Sequence, residues 1–129
     1  MEVRTELYWE SNNKYGEELC GDKVEAVQSV EETIMVMADG LGSGVKANIL
    51  ATLTSKIAVT MLKQGSSIEE TVKTIMATLP ICKVRKIAYS TFTIIRVDSF
   101  GNCYIAEYGN PPVVLLREGS VIKLNGTVR

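Results

Sequence analysis

The stretch Thr33-Ile-Met-Val-Met-Ala-Asp39-Gly40-Leu-Gly-Ser-Gly44 joins an apolar run to an acid and to three glycines at alternate positions. Its first six residues, Thr33 to Ala38, are apolar and rich in β-formers, which predicts a strand buried on both faces. A helical period begins directly after the glycines. A buried strand that delivers a carboxylate to a loop of little bulk, close to a helix N-terminus, suits either a metal ion or a phosphate group.

Two helices are predicted after this stretch. Apolar residues at helical spacing extend the first helix from Ser43 to Gln64, and Gly65 ends it. Ser67-Ile-Glu-Glu70 has the spacing of a capping box and opens the second helix, which Pro80 ends. The apolar stripe predicted to bury the first helix is Val45, Ile49, Leu50, Leu53, Ile57, Met61 and Leu62.

Strands are predicted on both sides of this helical pair. They cover Val3 to Glu10, Lys23 to Ser29, Thr33 to Ala38, Ala88 to Val97, Cys103 to Tyr108, Val113 to Leu116 and Val121 to Leu124. The last four form two hairpins, with turns at 98–102 and 117–120. Because strands cluster before and after the helices, the order predicts an α+β layered fold with antiparallel sheets.

Composition narrows the function classes. The chain has 129 residues, 46% of them hydrophobic and 22% charged, and a formal net charge of −1. Such a balance offers no basic field for a nucleic acid backbone. The apolar runs are too short to span a bilayer, and the N-terminus has no apolar signal region. We therefore expect a cytoplasmic protein that binds neither nucleic acid nor membrane.

Cysteine and histidine usage limits the chemistry further. The three cysteines, Cys20, Cys82 and Cys103, are widely spaced, which favours free thiols over a disulfide framework. The chain contains no histidine, which excludes histidine general bases and histidine zinc sites. Any bound metal must then be held by oxygen ligands, as magnesium, manganese and calcium are.

Two acids, Asp22 and Asp39, each stand at a predicted strand boundary beside a glycine. Taken singly, Gly21-Asp22 and Asp39-Gly40 are ordinary turn sequences. Two converging carboxylates repel each other unless a cation lies between them. The pair therefore supports a hard-metal site as a hypothesis.

A nucleotide site at Gly42-Ser-Gly44 is the competing interpretation of the glycines. The spacing resembles a dinucleotide-binding fingerprint, because it follows a strand and opens a helix. That fold requires a parallel strand after the helix, whereas here a second helix follows. The carboxylate of Asp39 would also face the pyrophosphate, so we favour the metal.

Four blocks, in order, resemble those of the metal-dependent type-2C serine/threonine phosphatases. They are Cys20-Gly-Asp22, Met37-Ala-Asp-Gly-Leu-Gly-Ser-Gly44 with Ala47, Ser90-Thr-Phe-Thr93, and Gly109-Asn-Pro-Pro112. The resemblance covers roughly residues 19–117 and is greatest to the bacterial branch typified by stage II sporulation protein E and RsbX. The block around Asp39 is the specific one, while Asn-Pro-Pro alone is weak.

This resemblance implies a fold, a reaction and a site. The family fold is an α-β-β-α sandwich of two antiparallel sheets with helices outside. Its members use two Mn²⁺ or Mg²⁺ ions to hydrolyse phosphoserine or phosphothreonine on a protein substrate. By position, Asp39 would bridge the metals, the Gly40 carbonyl would bind one of them, and Asp22 would be a ligand or hold a metal-bound water.

The later acidic blocks of that family have no counterpart here. We therefore expect residues 1–129 to be the N-terminal part of a single phosphatase domain, inactive alone and lacking part of its metal site. Exposed sheet edges would then favour self-association. The alternative is a non-catalytic module that keeps the fold and only binds a partner protein.

Overall fold

The computed structural model describes residues 4–10, 22–40, 44–78, 81–82, 87–88, 90–110 and 112–123. These residues form two helices and eight strands in chain order. The bounds are β1 Asp22–Gln28, β2 Glu32–Gly40, α1 Gly44–Lys63, α2 Ile68–Thr78, β3 Ile81–Cys82, β4 Ile87–Ala88, β5 Ser90–Asp98, β6 Cys103–Tyr108, β7 Leu115–Arg117 and β8 Ser120–Ile122.

One antiparallel sheet organises the chain, with the strand order β1-β2-β5-β6. Strand β2 is central and pairs along its length with β1 and β5. The hairpin between β5 and β6 turns at Asp98, whose carboxylate accepts hydrogen bonds from the Phe100 and Asn102 amides at 2.9 and 3.0 Å. This confirms the predicted turn at 98–102, because Asp favours such side-chain-closed turns.

Helix α1 covers one face of the sheet. Alternate residues of β2 face it, and Ile34, Val36 and Ala38 are at most 1% exposed. Phe92 and Ile94 of β5 continue the same buried layer, as expected because successive strand residues point to opposite faces. The single core of the described residues therefore lies between the helices and this face of β2 and β5.

The predicted apolar stripe of α1 is only partly correct. Val45, Ile49 and Leu53 are exposed, at 62%, 50% and 47%. The helix packs through two buried residues of that stripe, Leu50 and Leu62. The other buried residues are small or short and stand at helical spacing, namely Ala47, Ala51, Thr54, Ser55, Ala58 and Val59. Small residues allow the helix axis to lie close to the sheet, and a ranking by hydrophobicity alone does not select them.

The ends of the helices follow their local sequence. Gly65 has φ 95°, and its amide and that of Ser66 donate to carbonyls in the last turn of α1, which ends that helix. The Glu70 amide donates to Ser67 Oγ at 3.1 Å, as the capping box predicts. Helix α2 packs on the core through an apolar stripe at helical spacing, formed by Ile68, Val72, Ile75 and Met76.

Strand β2 differs from its prediction in two ways. It extends to Gly40, so Asp39 and Gly40 belong to the strand rather than to a loop. It is also not buried on both faces, because Met37 is 44% exposed and Asp39 is exposed. The reason is that, among the described residues, no second layer covers the face of the sheet that turns away from α1.

The strand predicted for Val3 to Glu10 is wrong for the part that the structure describes, residues 4–10. This segment joins no sheet; it meets the β1–β2 turn where Gln28 Nε2 donates to the Thr5 carbonyl at 2.7 Å. Its neighbouring aromatic residues, Tyr8 and Trp9, are 82% and 48% exposed. Consecutive apolar residues lack the alternation that would give a strand one buried face.

Two short hairpins complete the described chain. Strands β3 and β4 form an unpredicted pair, while β7 and β8 confirm the last hairpin with shifted bounds. Its turn is Glu118-Gly119, with φ values of 52° and 79°, as a two-residue turn requires. The glycine loop at 41–43, the basic segment 83–86 and Pro80 lie outside the described residues.

The α+β class with antiparallel sheets is therefore confirmed. Within the described part of the chain, the layers are one four-stranded sheet and two helices on one side of it. No helix in that part is long and apolar enough to cross a membrane.

Candidate metal centre

Asp22 and Asp39 are direct cross-strand partners at one end of the sheet. Residues opposite each other in an antiparallel ladder project from the same face, with Cβ atoms about 4.5–5.5 Å apart. Both side chains are exposed, and both lie on the face that turns away from α1. Like charges placed in this way destabilise a sheet, whereas a cation bound between them would stabilise it.

Gly40 follows Asp39 where the end of β2 lies directly against α1. A Cβ atom at this position would collide with the backbone of Ala47, and first with its carbonyl oxygen. The side-chain atom of any other residue would therefore force the strand and the helix apart. The contact explains why the sequence has glycine here, independently of any metal role for its carbonyl.

Thr91 is the β5 partner of Asp39, and so it extends the row that Asp22 begins. Its hydroxyl donates to Asn110 Oδ1 at 2.6 Å. Asn110 Nδ2 in turn donates to Thr93 Oγ1 at 3.0 Å and lies 3.4 Å from the Met37 carbonyl oxygen. One side-chain amide thus connects β5 to β2 beside the two acids.

The backbone before Asn110 is shaped for this contact. Gly109 has φ 77° and forms a parallel bridge with Phe92. A Cβ atom on Gly109 would overlap the side chain of Thr91. Glycine is therefore needed for both the left-handed backbone and the close approach, and these place Asn110 over β5.

The residues present fit a hard divalent cation in part. Carboxylate oxygens of Asp22 and Asp39 are suitable ligands, and Mg²⁺ is often held by one or two carboxylates with waters and phosphate oxygens. Among the described residues, however, there is no group of three or more acidic or cysteine side chains that could hold a metal. The donor set is oxygen-rich and incomplete.

Among the residues that the structure describes, other acids do not extend this pair. Glu107 lies one row away, opposite Thr93, and its Oε1 accepts a hydrogen bond from the Val113 amide at 3.1 Å. Asp98 lies at the opposite end of β5. The side chain of Asn102 holds the pKa of Asp98 below its ordinary value by donating a hydrogen bond, assisted by two backbone amides and the charge of Arg96.

A cleft of about 750 Å³ opens at that opposite end of the sheet, between residues 4–7 and the two hairpin turns. It is lined by Gln28, Thr33, Val97 and their neighbours, and it includes neither Asp22 nor Asp39. The exposed acid pair is therefore separate from this cleft.

The structure brings together the three site residues that the sequence singled out. Asp22 faces Asp39, and Gly40 follows at the helix contact. Asn110 and Thr91 stand in two of the blocks that resemble the phosphatase family, but the sequence predicted no role for either residue. The available signal was the alternation of Thr91 and Thr93 with buried Phe92 and Ile94, which marks the polar face of β5.

A family model described as stage II sporulation protein E (SpoIIE) matches residues 29–128. The search of curated proteins found no match to this chain. Among solved structures, the chain is similar to the PP2C phosphatase domain, with a fragment of the regulatory domain, of SpoIIE from Bacillus subtilis. That comparison has a TM-score of 0.75 and 24% identity, and it covers 88% of this chain and 34% of the other.

RsbX in complex with magnesium is a second similar structure. Its TM-score is 0.55 at 19% identity, and the match covers 79% of this chain and 61% of RsbX. At these identities the structural matches establish the fold. The chain thus has part of the PP2C fold and spans about a third of the SpoIIE structure.

Proposed function

Because the chain belongs to the stage II sporulation protein E family of PP2C phosphatases, we propose that its parent protein hydrolyses phosphoserine or phosphothreonine on a signalling protein. The proposal takes Mn²⁺ or Mg²⁺ as the cofactor, with two ions in the complete domain. The observation that carries it is the register of β1 and β2, which sets Asp22 opposite Asp39 on an exposed face.

In this proposal the acids hold and orient the cations. Asp39 would be the ligand shared by the cations, Asp22 would be a ligand or hold a coordinated water, and the Gly40 carbonyl would contribute one further oxygen. The bound cations would supply an activated water nucleophile and offset the charge on the phosphoryl oxygens. Carboxylates have no hydrogen-bond donor, so Asp22 and Asp39 would bind the cations and not the phosphate oxygens directly.

The part of the chain that the structure describes supplies only part of such a centre. It offers the two carboxylates of one strand pair, and the chain spans 34% of the SpoIIE structure. We therefore propose that residues 1–129 form the N-terminal part of the domain and have little or no activity alone. We further propose that the protein is cytoplasmic and binds neither nucleic acid nor membrane.

The experiment compares the full-length protein with its Asp39→Asn and Asp22→Asn variants in Mn²⁺-dependent hydrolysis of a phosphothreonine peptide. Loss of a residue that merely orients a metal ligand commonly lowers metal affinity or activity about 10–100-fold. Loss of the proposed ligand Asp39 should therefore lower the hydrolysis rate about 100-fold or more. Asp98→Asn is the matched control at the opposite end of the sheet and should retain activity. Unchanged metal-dependent hydrolysis in Asp39→Asn contradicts the proposal.

A non-catalytic interaction module is the second candidate. It is favoured by the open sheet face and by the outer edges of β1 and β6, which pair with no further strand among the described residues. Such edges also make self-association possible. A full-length protein that binds a partner or itself, yet shows no metal-dependent hydrolysis, would support this candidate over the enzyme.

A further inference from the structure

We infer that Asn110 is a positioning residue that fixes the Thr91 hydroxyl beside the Asp22–Asp39 pair, so that its oxygen serves the metal centre as a hydrogen-bond acceptor. The inference rests on the proposed function and adds a residue to it. Thr91 and Asp39 are direct partners across β5 and β2, so their side chains share one face.

The orientation of the Asn110 amide follows from its partners. The Met37 carbonyl oxygen, 3.4 Å from Nδ2, can only accept a hydrogen bond, so the amide nitrogen must lie on that side. Nδ2 also donates to Thr93 Oγ1 at 3.0 Å. The amide oxygen is consequently left to face Thr91.

The direction of the Thr91 hydroxyl follows in turn. Asn110 Oδ1 accepts the Thr91 proton over 2.6 Å, a short contact between partly buried groups. A hydroxyl has a single proton and two lone pairs, so Thr91 Oγ1 can then act toward other partners only as an acceptor. An acceptor beside two carboxylates favours groups that donate, such as water coordinated to a cation.

The backbone at Gly109 also fixes the position of Asn110 relative to Thr91. The bridge between Gly109 and Phe92 fixes where residue 110 begins, and Gly109 packs directly on Thr91. Phe92, the anchor of the bridge, is fully buried in the core. Asn110 is therefore attached to a strand that is anchored in the core, as a residue that orients a ligand requires.

The test uses the full-length protein that contains these residues, with Mn²⁺ as the probe. Apparent Mn²⁺ affinity is measured from relaxation enhancement of backbone amide signals near Asp39. The χ1 rotamer of Thr91 is measured from three-bond couplings in the metal-free protein. The variants are Asn110→Ala, Thr91→Val, their combination and Thr91→Ser, with Asn102→Ala as a matched control because Asn102 bonds Asp98 at the opposite end.

We expect Asn110→Ala to average the Thr91 rotamer and weaken Mn²⁺ binding about tenfold, as loss of residues that orient metal ligands does. Thr91→Val should weaken Mn²⁺ binding to a similar extent. The double variant should bind Mn²⁺ no more weakly than either single variant, because both substitutions act through the same hydroxyl. Thr91→Ser and Asn102→Ala should remain within about twofold of wild type.

An unchanged Thr91 rotamer in Asn110→Ala, unchanged Mn²⁺ affinity, or fully additive losses overturns the inference while leaving the proposed function intact. A full-length wild-type protein that produces no localised Mn²⁺ effect at Asp22 and Asp39 overturns the metal centre, and the inference with it. If Asn110→Ala does not fold, the comparison of Thr91→Val with Thr91→Ser tests the inference. Equal Mn²⁺ affinities of these two variants overturn it, because only Thr91→Ser keeps the hydroxyl.

Discussion

Asp22 and Asp39 are cross-strand partners in the ladder between β1 and β2, and both of their side chains are exposed. Asp39 is at the same time the partner of Thr91 on the other side. The central strand thus carries its acid between a second acid and a hydroxyl, in a row across the end of the sheet. This relationship makes stability and metal binding respond in opposite directions to substitution.

Asp22→Asn should stabilise the metal-free chain, because it removes a like-charge pair while keeping an oxygen acceptor. Directly opposed like charges cost roughly 0.2–1 kcal/mol, so the free energy of unfolding should rise by about that amount. Urea unfolding in a chelator measures it, and the gain should shrink at high salt. Glu25→Gln is the opposite-sign control, since Glu25 pairs with Lys56 at 2.9 Å. A lower free energy of unfolding for Asp22→Asn than for wild type would contradict repulsion between Asp22 and Asp39.

Gly40→Ala should destabilise the chain, because its Cβ would overlap the backbone of Ala47 and cannot be accommodated by a rotamer change. Overpacking of this kind costs about 1–3 kcal/mol or more. Thermal and urea unfolding measure the loss. Gly119→Ala is the control: its Cβ would meet open space, and only the φ of 79° opposes it. Equal losses in the two variants would show that the strand–helix contact is not limiting.

Phe92→Ala should cost about 3–5 kcal/mol, the range for deleting a buried aromatic side chain. Phe92 is fully buried and stacks on Tyr108, with ring centroids 5.5 Å apart. Phe100→Ala removes the same atoms from a side chain that is 81% exposed and should change the free energy of unfolding little. Similar effects of the two substitutions in urea unfolding would contradict the placement of the core.

Asp98 should contribute stability that is lost in acid. The hydrogen bond from the Asn102 side chain is the first cause that lowers its pKa in the folded state. A group with a depressed folded pKa stabilises above its unfolded pKa, near 3.9, and loses that contribution as the pH falls through the folded pKa. NMR titration should therefore find a higher pKa for Asp98 in Asn102→Ala. An unchanged pKa would exclude this hydrogen bond as the cause.

Local signals in the sequence predicted much of this fold. Ser67 and Gly65 mark helix ends through contacts within a few residues, so their roles follow from spacing. The alternation of β5 and the turn at Asp98 are equally local. The face of α1 was predicted less well, because its contact depends on small residues such as Ala47 and Ala51, which hydrophobicity does not rank highly.

The candidate site was predictable by residue type but not by contact. Asp22 and Asp39 were selected because each stands beside a glycine at a strand boundary. That they meet depends on the register of β1 against β2, a property of two segments together. The role of Asn110 depends on Met37, which is 73 positions away in the chain, so no short motif could reveal it.

The turn between β1 and β2 closes at the opposite end of the sheet, where the Ser29 amide donates to the Glu32 carbonyl at 2.8 Å. It lies about 20 Å along the strand from Asp39, at roughly 3.3 Å per residue. Its length nevertheless determines which residue stands opposite Asp39. Inserting one residue there would direct Asp22 toward the helices, and inserting two would shift it to a different row. A turn that contributes neither acid thereby sets which residues of the hairpin lie opposite each other.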